Sequence, residues 1–272
     1  MASPILSVCL ITYNHANFIE QAINSVLMQK VNFTWELIIA DDNSTDGTRE
    51  IITKFQKEYP QFIRLILQKK NVGPALNWID LITTPQSKYI AYFEGDDYWT
   101  DQFKLQKQVD FMERNPDFSM CFHAVHITKR TNGDTFQYKL PPKEILVLKD
   151  LIKEHYIPSC SLLFRNGYFP DGLPKWVQKS ISGDIPFEIL LSSYGKTKYL
   201  PDKMACYRRN IYSVSQSSEQ LSKMRAGYIF MYLNIARELG LPYALHFYFL
   251  AFKLRVGFIK NYFEKSFYFF RK

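Results

Sequence analysis

A chain of 272 residues, 47% of them hydrophobic, has ample apolar material for a large core, which excludes a disordered polypeptide. The formal net charge of +8 points to anionic partners such as nucleotides, phosphates or an acidic membrane surface. No recognition motif for nucleic acid accompanies that charge, so no nucleic-acid partner is expected.

The first half alternates strands and helices. Ile5 to Ile11 is a continuous β-prone run ending at Thr12-Tyr13-Asn14, as a strand buried on both faces would. Phe18, Ile19, Ala22, Ile23, Val26 and Leu27 then recur at helical spacing. Leu37 to Ala40 is a second strand, stopped by the polar run from Asp41 to Gly47, and Ile51, Ile52, Phe55 and Tyr59 mark a helix face. Phe62 to Leu67 is a third strand. A helical segment from about Pro74 to Ile82 leads to a fourth, Tyr89 to Phe93. Repeated β-α units predict a parallel sheet with right-handed crossovers.

After Trp99 the pattern changes. Leu105, Val109 and Met112 predict a helix that Asn115-Pro116 ends. Phe118 to Thr128 and Ser159 to Phe164 read as strands, separated by a polar segment from Lys129 to Lys143. A helix is expected after Gly183-Asp184, a strand over Lys198 to Tyr207, and helix throughout from about Ser215. The expected organisation is one α/β domain over residues 1–215 and a helical extension over 216–272, membrane-interfacial or dimerising.

Cys9, Cys121, Cys160 and Cys206 form no C-x-x-C pair and sit in apolar runs. They read as buried free thiols in a reducing compartment, not as a disulfide framework or zinc site. The N-terminus lacks the basic region of a signal peptide, and no uncharged apolar run reaches about 18 residues. A cytoplasmic protein is expected, peripheral on the inner face of the membrane if its basic end binds lipid.

Three polar clusters follow three predicted parallel strands: Thr12-Tyr13-Asn14, Asp41-Asp42 and Asp96-Asp97. Carboxyl ends of parallel strands share one sheet edge, so the clusters should converge on a ligand pocket. Adjacent aspartates repel and are relieved by water or a cation, and a hard divalent ion bridging carboxylates to phosphate would suit Glu94-Gly95-Asp96-Asp97. A polar turn ending a strand is the plainer account of that tetrapeptide. Neither a G-x-G-x-x-G after the first strand nor a P-loop motif is present, which argues against dinucleotide oxidoreductases and P-loop enzymes.

The array Val8 to Asn14, Asp41 to Thr48 and Glu94 to Asp97, with Ser182-Gly183-Asp184 and Tyr207-Arg208 later, resembles family 2 glycosyltransferases of the GT-A fold over residues 5–215. The resemblance implies a Rossmann-like, mainly parallel central sheet flanked by helices, and an inverting sugar transfer from a nucleotide-diphosphate sugar, with UDP the expected nucleotide. The acceptor would be a glycan or lipid-linked saccharide of cell-surface polysaccharide synthesis. It implies that Thr12, Tyr13 and Asn14 lie at the nucleotide, with Tyr13 against the base, and that Asp42 accepts a hydrogen bond from the base. Asp41 serves the same pocket or merely caps the following helix. Asp97 would bind Mn2+ or Mg2+, Asp96 the ribose or the metal, and Arg208 the diphosphate unless it makes a structural ion pair. Asp184 is the implied general base, with helix capping as the structural alternative. Two positions depart from the family pattern: Glu94 where Asp is usual, and Asn210 where His is frequent. Lys69-Lys70-Asn71 reads as a solvated basic turn, and His123 and His126 as packing or surface residues.

Two other classes compete. A sugar-phosphate nucleotidylyltransferase would need a Gly-rich, basic phosphate loop near the N-terminus, which is absent. A non-catalytic sugar-nucleotide-binding scaffold at the membrane would not need both Asp97 and Asp184. Residues 253–272 carry Lys253, Arg255, Lys260, Lys265, Arg271 and Lys272 against Glu264, a net +5 among aromatic residues. That composition suits an interfacial helix on anionic lipid, or a face that packs on the catalytic domain or on a second copy.

Overall fold

Strands that read as apolar without alternation must be covered on both faces, and the computed structural model places them at the centre of one sheet. It describes residues 4–128, 137–181, 183–209 and 218–269. In chain order the first half runs β1 (Leu6–Thr12), α1 (Ile19–Leu27), β2 (Trp35–Asp41), α2 (Thr48–Glu58), β3 (Ile63–Leu67), α3 (Pro74–Thr83) and β4 (Tyr89–Glu94). There follow β5 (Tyr98–Trp99), α4 (Lys104–Arg114), β6 (Phe118–Thr128), β7 (Ile145–Leu146), α5 (Leu148–Leu151) and β8 (Leu163–Arg165). The chain ends with α6 (Asp184–Ser192), β9 (Lys196–Arg208), α7 (Ser218–Leu239) and α8 (Tyr243–Phe269).

The sheet order is β3-β2-β1-β4-β8-β6-β9-β5, with β7 paired to β9. β3, β2, β1 and β4 are parallel neighbours, as the β-α repeats require. β8 enters antiparallel to both β4 and β6, and β5 and β7 run antiparallel to β9. The sheet is therefore mixed, with its parallel half carrying the carboxyl-edge clusters. Leu6, Leu10, Ile19, Leu37, Phe93 and Trp99 belong to the continuous core beneath it.

The strand expected over Ser159 to Phe164 is shorter and displaced. Ser159–Ser161 forms a 3-10 turn, because Pro158 sets its start and its carbonyl accepts the backbone N–H of Ser161 at 2.9 Å and the Ser161 hydroxyl at 2.6 Å. Extended backbone resumes only at Leu163. Lys69, Lys70 and Asn71 are exposed, His126 is exposed, and His123 is buried with Nδ1 2.7 Å from the Ala124 carbonyl oxygen.

The chain divides into two compact units. One comprises Met1–Leu173 with Leu191–Ser213, and the other Pro174–Leu190 with Val214–Lys272. The sequence predicts one boundary, near residue 215, whereas the units have three breaks, after Leu173, Leu190 and Ser213. Pro174–Leu190 groups with the C-terminal helices, which carries Asp184 into the second unit. In that unit α7 and α8 pack together through Met231, Ile235 and Ala236 on one and Ala244, Phe247 and Ala251 on the other, all buried. Among the described residues no helix is long and apolar enough to cross a membrane.

A buried amine stands in the first unit. Lys104, on the first turn of α4, is fully buried, donates to Gln108 Oε1 at 2.7 Å, and holds Nζ 4.0 Å from the centroid of the Trp99 ring. Burial pulls its amine down to about 7. An unfolded lysine keeps its proton to about pH 10.4. Between the two values the unfolded chain binds the extra proton, so this residue makes stability rise with pH. In urea unfolding from pH 7.5 to 8.5, the stability of the wild type minus that of Lys104→Met should rise by about 1.4 kcal/mol per pH unit. Parallel pH profiles would mean that the amine stays charged in the fold.

Candidate functional site

Register brings the polar clusters to one edge. Thr12 pairs with Asp41 across β1 and β2, and Ile11 pairs with Glu94 across β1 and β4. The loops that leave these strands are tied to each other by side chains. Asn14, at φ 55°, donates its N–H to Ser44 Oγ and accepts the Thr45 N–H on Oδ1, both at 2.9 Å. The His15 N–H goes to Thr48 Oγ1 and the Ala16 N–H to Asp46 Oδ2, again at 2.9 Å each. Asn14 thus joins the two loops, and its amide oxygen is engaged there.

The two aspartates after β2 are engaged differently. Asp41 accepts the Ser44 N–H and hydroxyl and pairs with Arg49, whose Nη2 lies 2.6 Å from Oδ2. Asp41 is thus held by the loop after β2 and the first turn of α2, and it does not cap that helix, whose N-cap is Gly47. Asp42 accepts the Val72 N–H at 2.7 Å and the Gly73 N–H at 3.0 Å, fixing the loop before α3 to the edge of the pocket. Thr12 is buried, its Oγ1 3.3 Å from His15 Nδ1. Tyr13 is 44% exposed, so its ring is the accessible aromatic surface among the predicted nucleotide ligands of this edge. Burial holds the His15 imidazole below its usual value, against the pull of the Asp96 and Asp46 charges.

The turn after β4 is packed from below. A Cβ on Gly95 would stand 2.9 Å from Thr12 Oγ1, 3.0 Å from His15 Nδ1 and 3.0 Å from Ile19 Cδ1, so only glycine lets the first loop lie against the turn. Two residues on, Tyr98 and Trp99 pair with Cys206 and Ala205 of β9, which delivers Arg208 to the turn. Its backbone N–H donates to Asp97 Oδ1 at 2.7 Å and its Nη1 to the Asp96 carbonyl at 2.7 Å, while Nη2 donates to Gln21. The guanidinium carbon lies 4.5 Å from the Tyr98 ring centroid and 5.1 Å from that of Phe18. Arg208 therefore braces the turn with its whole side chain. The sequence offered a diphosphate contact or a structural ion pair for it; the observed partners are a backbone carbonyl, an amide and two rings.

Asp97 is almost fully buried, and its Oδ2 receives no hydrogen bond from an N–H or O–H among the described residues. Burial first, then the Asp96 charge, push its carboxyl up to about 8, against the Arg208 hydrogen bond. A dry carboxylate oxygen without a donor fits a divalent cation. Among the described residues no group of three His, Cys, Asp or Glu side chains could hold a metal. The protein could therefore supply one or two carboxylates, the usual pattern for Mg2+ or Mn2+ completed by substrate phosphates and water. The residues present fit such an ion.

Asp184 opens α6, with its Oδ1 2.9 Å from the Ile185 N–H. It belongs to the second unit, whereas the clusters above belong to the first. Ser182 and Asn210 lie outside the described residues. Sequence reasoning missed His15 and Arg49, and it left Asp46 and Thr48 within the motif array without giving either a role.

The family model described as Glycosyl transferase family 2 matches residues 7–172. The chain belongs to that family. Similar to this family 2 member is the uncharacterized protein Rv1520 of Mycobacterium tuberculosis, 33% identical over 216 residues, covering 78% of this chain and 61% of the relative. The chain thus spans about 61% of that relative's length, a little under two thirds. TuaG of Bacillus subtilis, named for teichuronic acid biosynthesis, is 34% identical over 161 residues, covering 59% of this chain and 62% of TuaG. Among solved structures, Staphylococcus aureus TarS 1–349 in complex with UDP-GlcNAc superposes with a TM-score of 0.65 at 17% identity, covering 84% of this chain and 65% of TarS. That likeness bears on the fold, which is the GT-A arrangement expected from the motifs.

If Arg208 braces the turn, Arg208→Met should keep the stem between the rings and leave the Asp96 carbonyl and Gln21 without their donors. Urea unfolding should show a loss of about 2 kcal/mol. An unchanged midpoint would mean that the guanidinium does not hold the turn.

Proposed function

We propose that this family 2 member is an inverting, metal-dependent glycosyltransferase that moves a sugar from a nucleotide-diphosphate donor, a UDP-sugar, to an acceptor hydroxyl. The observation that carries this reading is Asp97 at the carboxyl end of β4, with one oxygen held by Arg208 and the other dry and without an N–H or O–H donor. Asp97, with Asp96 beside it, would hold Mn2+ or Mg2+. When bound, such an ion stabilises charge on a departing nucleoside diphosphate as a Lewis acid.

The remaining roles fall to the chain's own groups. Tyr13 offers its exposed ring to the base, a contact worth about 1–3 kcal/mol in related stacking. Each Asp42 oxygen keeps a lone pair after accepting its backbone N–H, so Asp42 remains an acceptor for a pyrimidine N3–H. Asn14 and Asp41 hold the loops that present Tyr13 and Asp42. Asp184, assigned from its place in the family's motif order, takes the proton from the acceptor hydroxyl as that oxygen bonds to the anomeric carbon. The bond from that carbon to the phosphate oxygen breaks on the opposite side, so configuration inverts without a covalent intermediate.

The acceptor is proposed to be a glycan or lipid-linked saccharide of surface-polysaccharide synthesis at the cytoplasmic side of the membrane. The teichuronic acid name of TuaG and the name abequosyltransferase for RfbV of Salmonella typhimurium, 27% identical over 165 residues, support that reading. TarS with UDP-GlcNAc and the Pyrobaculum calidifontis mannosyltransferase with GDP-Man and Mn2+ show that this fold takes either nucleotide. Asp42 suits the N3–H of a uracil.

With Mn2+, a UDP-sugar at 100 times its dissociation constant should stabilise the protein by about 2.7 kcal/mol in thermal unfolding, ahead of dTDP-, GDP- and CMP-sugars. No response to any of the four would remove the enzyme reading. Asp97→Asn should abolish the Mn2+ dependence of nucleotide binding measured by calorimetry. Asp184→Asn should bind nucleotide as the wild type does and lose about 10²- to 10⁴-fold in turnover. Wild-type turnover in Asp184→Asn would overturn the base assignment.

A further inference from the structure

α8 is apolar on two faces. Ala244, Phe247 and Ala251 are 4%, 1% and 2% exposed on the face that packs with α7. Away from it stand Leu245, Tyr248, Phe249, Phe252 and Val256, which are 43–63% exposed. Their spacing of three, one, three and four residues keeps all five within about 50° of one line at 100° per residue. Leu241, just before the helix, is 75% exposed. A row of large apolar side chains in water is costly, and scattered exposure does not explain residues aligned along one stripe.

Charge tells what covers it. At the same angular step, Lys253 and Arg255 fall about 80° to either side of the stripe, one on each flank, and both are exposed. Long cationic side chains at the margins of an apolar helix face can lay their stems along a hydrocarbon surface and keep their heads at phosphate level. No acidic residue occurs from Tyr243 to Phe263. In sequence the apolar spacing continues with Ile259, Phe263 and Phe267, and the basic residues continue to Lys272. Yet among the described residues no helix is apolar enough to span a bilayer. A helix that is amphipathic towards its outside, cationic at its margins and too polar to insert suits the plane of an anionic membrane surface.

We infer that the outer face of α8, centred on Leu245, Phe249 and Phe252, seats the protein on an anionic lipid bilayer, with Lys253 and Arg255 at the headgroups. The inference is independent of the transfer reaction and stands or falls without it.

Flotation of the full chain with vesicles tests it. Vesicles of equal phosphatidylglycerol and phosphatidylcholine should carry the protein up the gradient at 0.1 M salt, and phosphatidylcholine vesicles should leave at least ten times more behind. Lys253→Gln with Arg255→Gln should weaken binding about thirtyfold, at about 1 kcal/mol per basic residue converted at 1.4 kcal/mol per decade. Leu245→Ser with Phe252→Ser should release the protein at unchanged charge. Circular dichroism and the thermal midpoint of each variant should match the wild type. As a second probe that needs no variant, raising salt from 0.1 to 0.5 M should lower binding to the anionic vesicles. Equal binding to both vesicle types, or no binding to either, would overturn the inference. So would a wild-type dimer in light scattering that Leu245→Ser with Phe252→Ser converts to monomer, since a second copy would then own the face.

Discussion

Two adjacent carboxylates at the end of a buried strand cannot both be charged and dry, and the geometry around β4 follows from how this chain meets that constraint. Asp97 goes inward, where burial raises its carboxyl, and one oxygen is satisfied by a backbone N–H from the far end of β9. That hydrogen bond exists because β5 pairs antiparallel to β9 immediately after the turn. β5 is in turn held by Trp99, whose indole N–H donates to the Cys160 carbonyl at 3.0 Å and whose ring packs on Phe93 at 4.7 Å. The turn is thus clamped by contacts more than a hundred residues apart in sequence. Its conformation depends on the whole sheet having formed.

The loops on the other side are rigid for a different reason. Polar side chains there spend their hydrogen bonds on one another: Asn14 with Ser44 and Thr45, Asp46 with Ala16 and Thr48, Asp41 with Ser44 and Arg49. Each removes a backbone or side-chain freedom that a bound ligand would otherwise have to freeze. A surface ion pair such as Arg49–Asp41 would matter little, but here the carboxylate is fully buried and four donors from two residues meet on it. Loss of Arg49 would leave that charge under-satisfied inside the frame that presents Tyr13 and Asp42.

The parallel half of the sheet was legible because β1, β2 and β4 are mostly buried and read as apolar runs between helix-period segments, while β3, at the sheet edge and interrupted by Arg64, was legible from its place in the β-α alternation. The convergence of Thr12, Asp41 and Glu94 at one edge followed from parallel topology alone. Which carboxylate does what was not legible, since the partners of Asp41, Asp42 and Arg208 lie 3 to 187 residues away. Ser159–Ser161 looks like the start of a strand by composition, but Pro158 and a serine hydroxyl close it into a turn. The segment from Pro174 to Leu190 shows no change of composition at its ends, so nothing local marks it as part of the helical unit. Long-range grouping is decided by packing, and packing leaves little trace in a short window of sequence.

Beneath the turn, the ionisable groups share one electrostatic condition. Burial lowers the Lys104 amine to about 7, raises the Cys121 thiol to about 12, raises Cys160 well above its usual value and lowers His123 well below its own. Each shift favours the neutral form, so the layer under β4 carries little fixed charge and screens weakly. In such a medium a charge placed at Asp97 is felt strongly, because only Arg208 and the Cys160 thiol act to favour it, against burial and the Asp96 charge. A neutral, closely packed floor and a carboxylate with one open oxygen are therefore parts of one device. The floor makes the ionised form of Asp97 costly by itself, and the same low polarity strengthens its attraction to any cation that arrives.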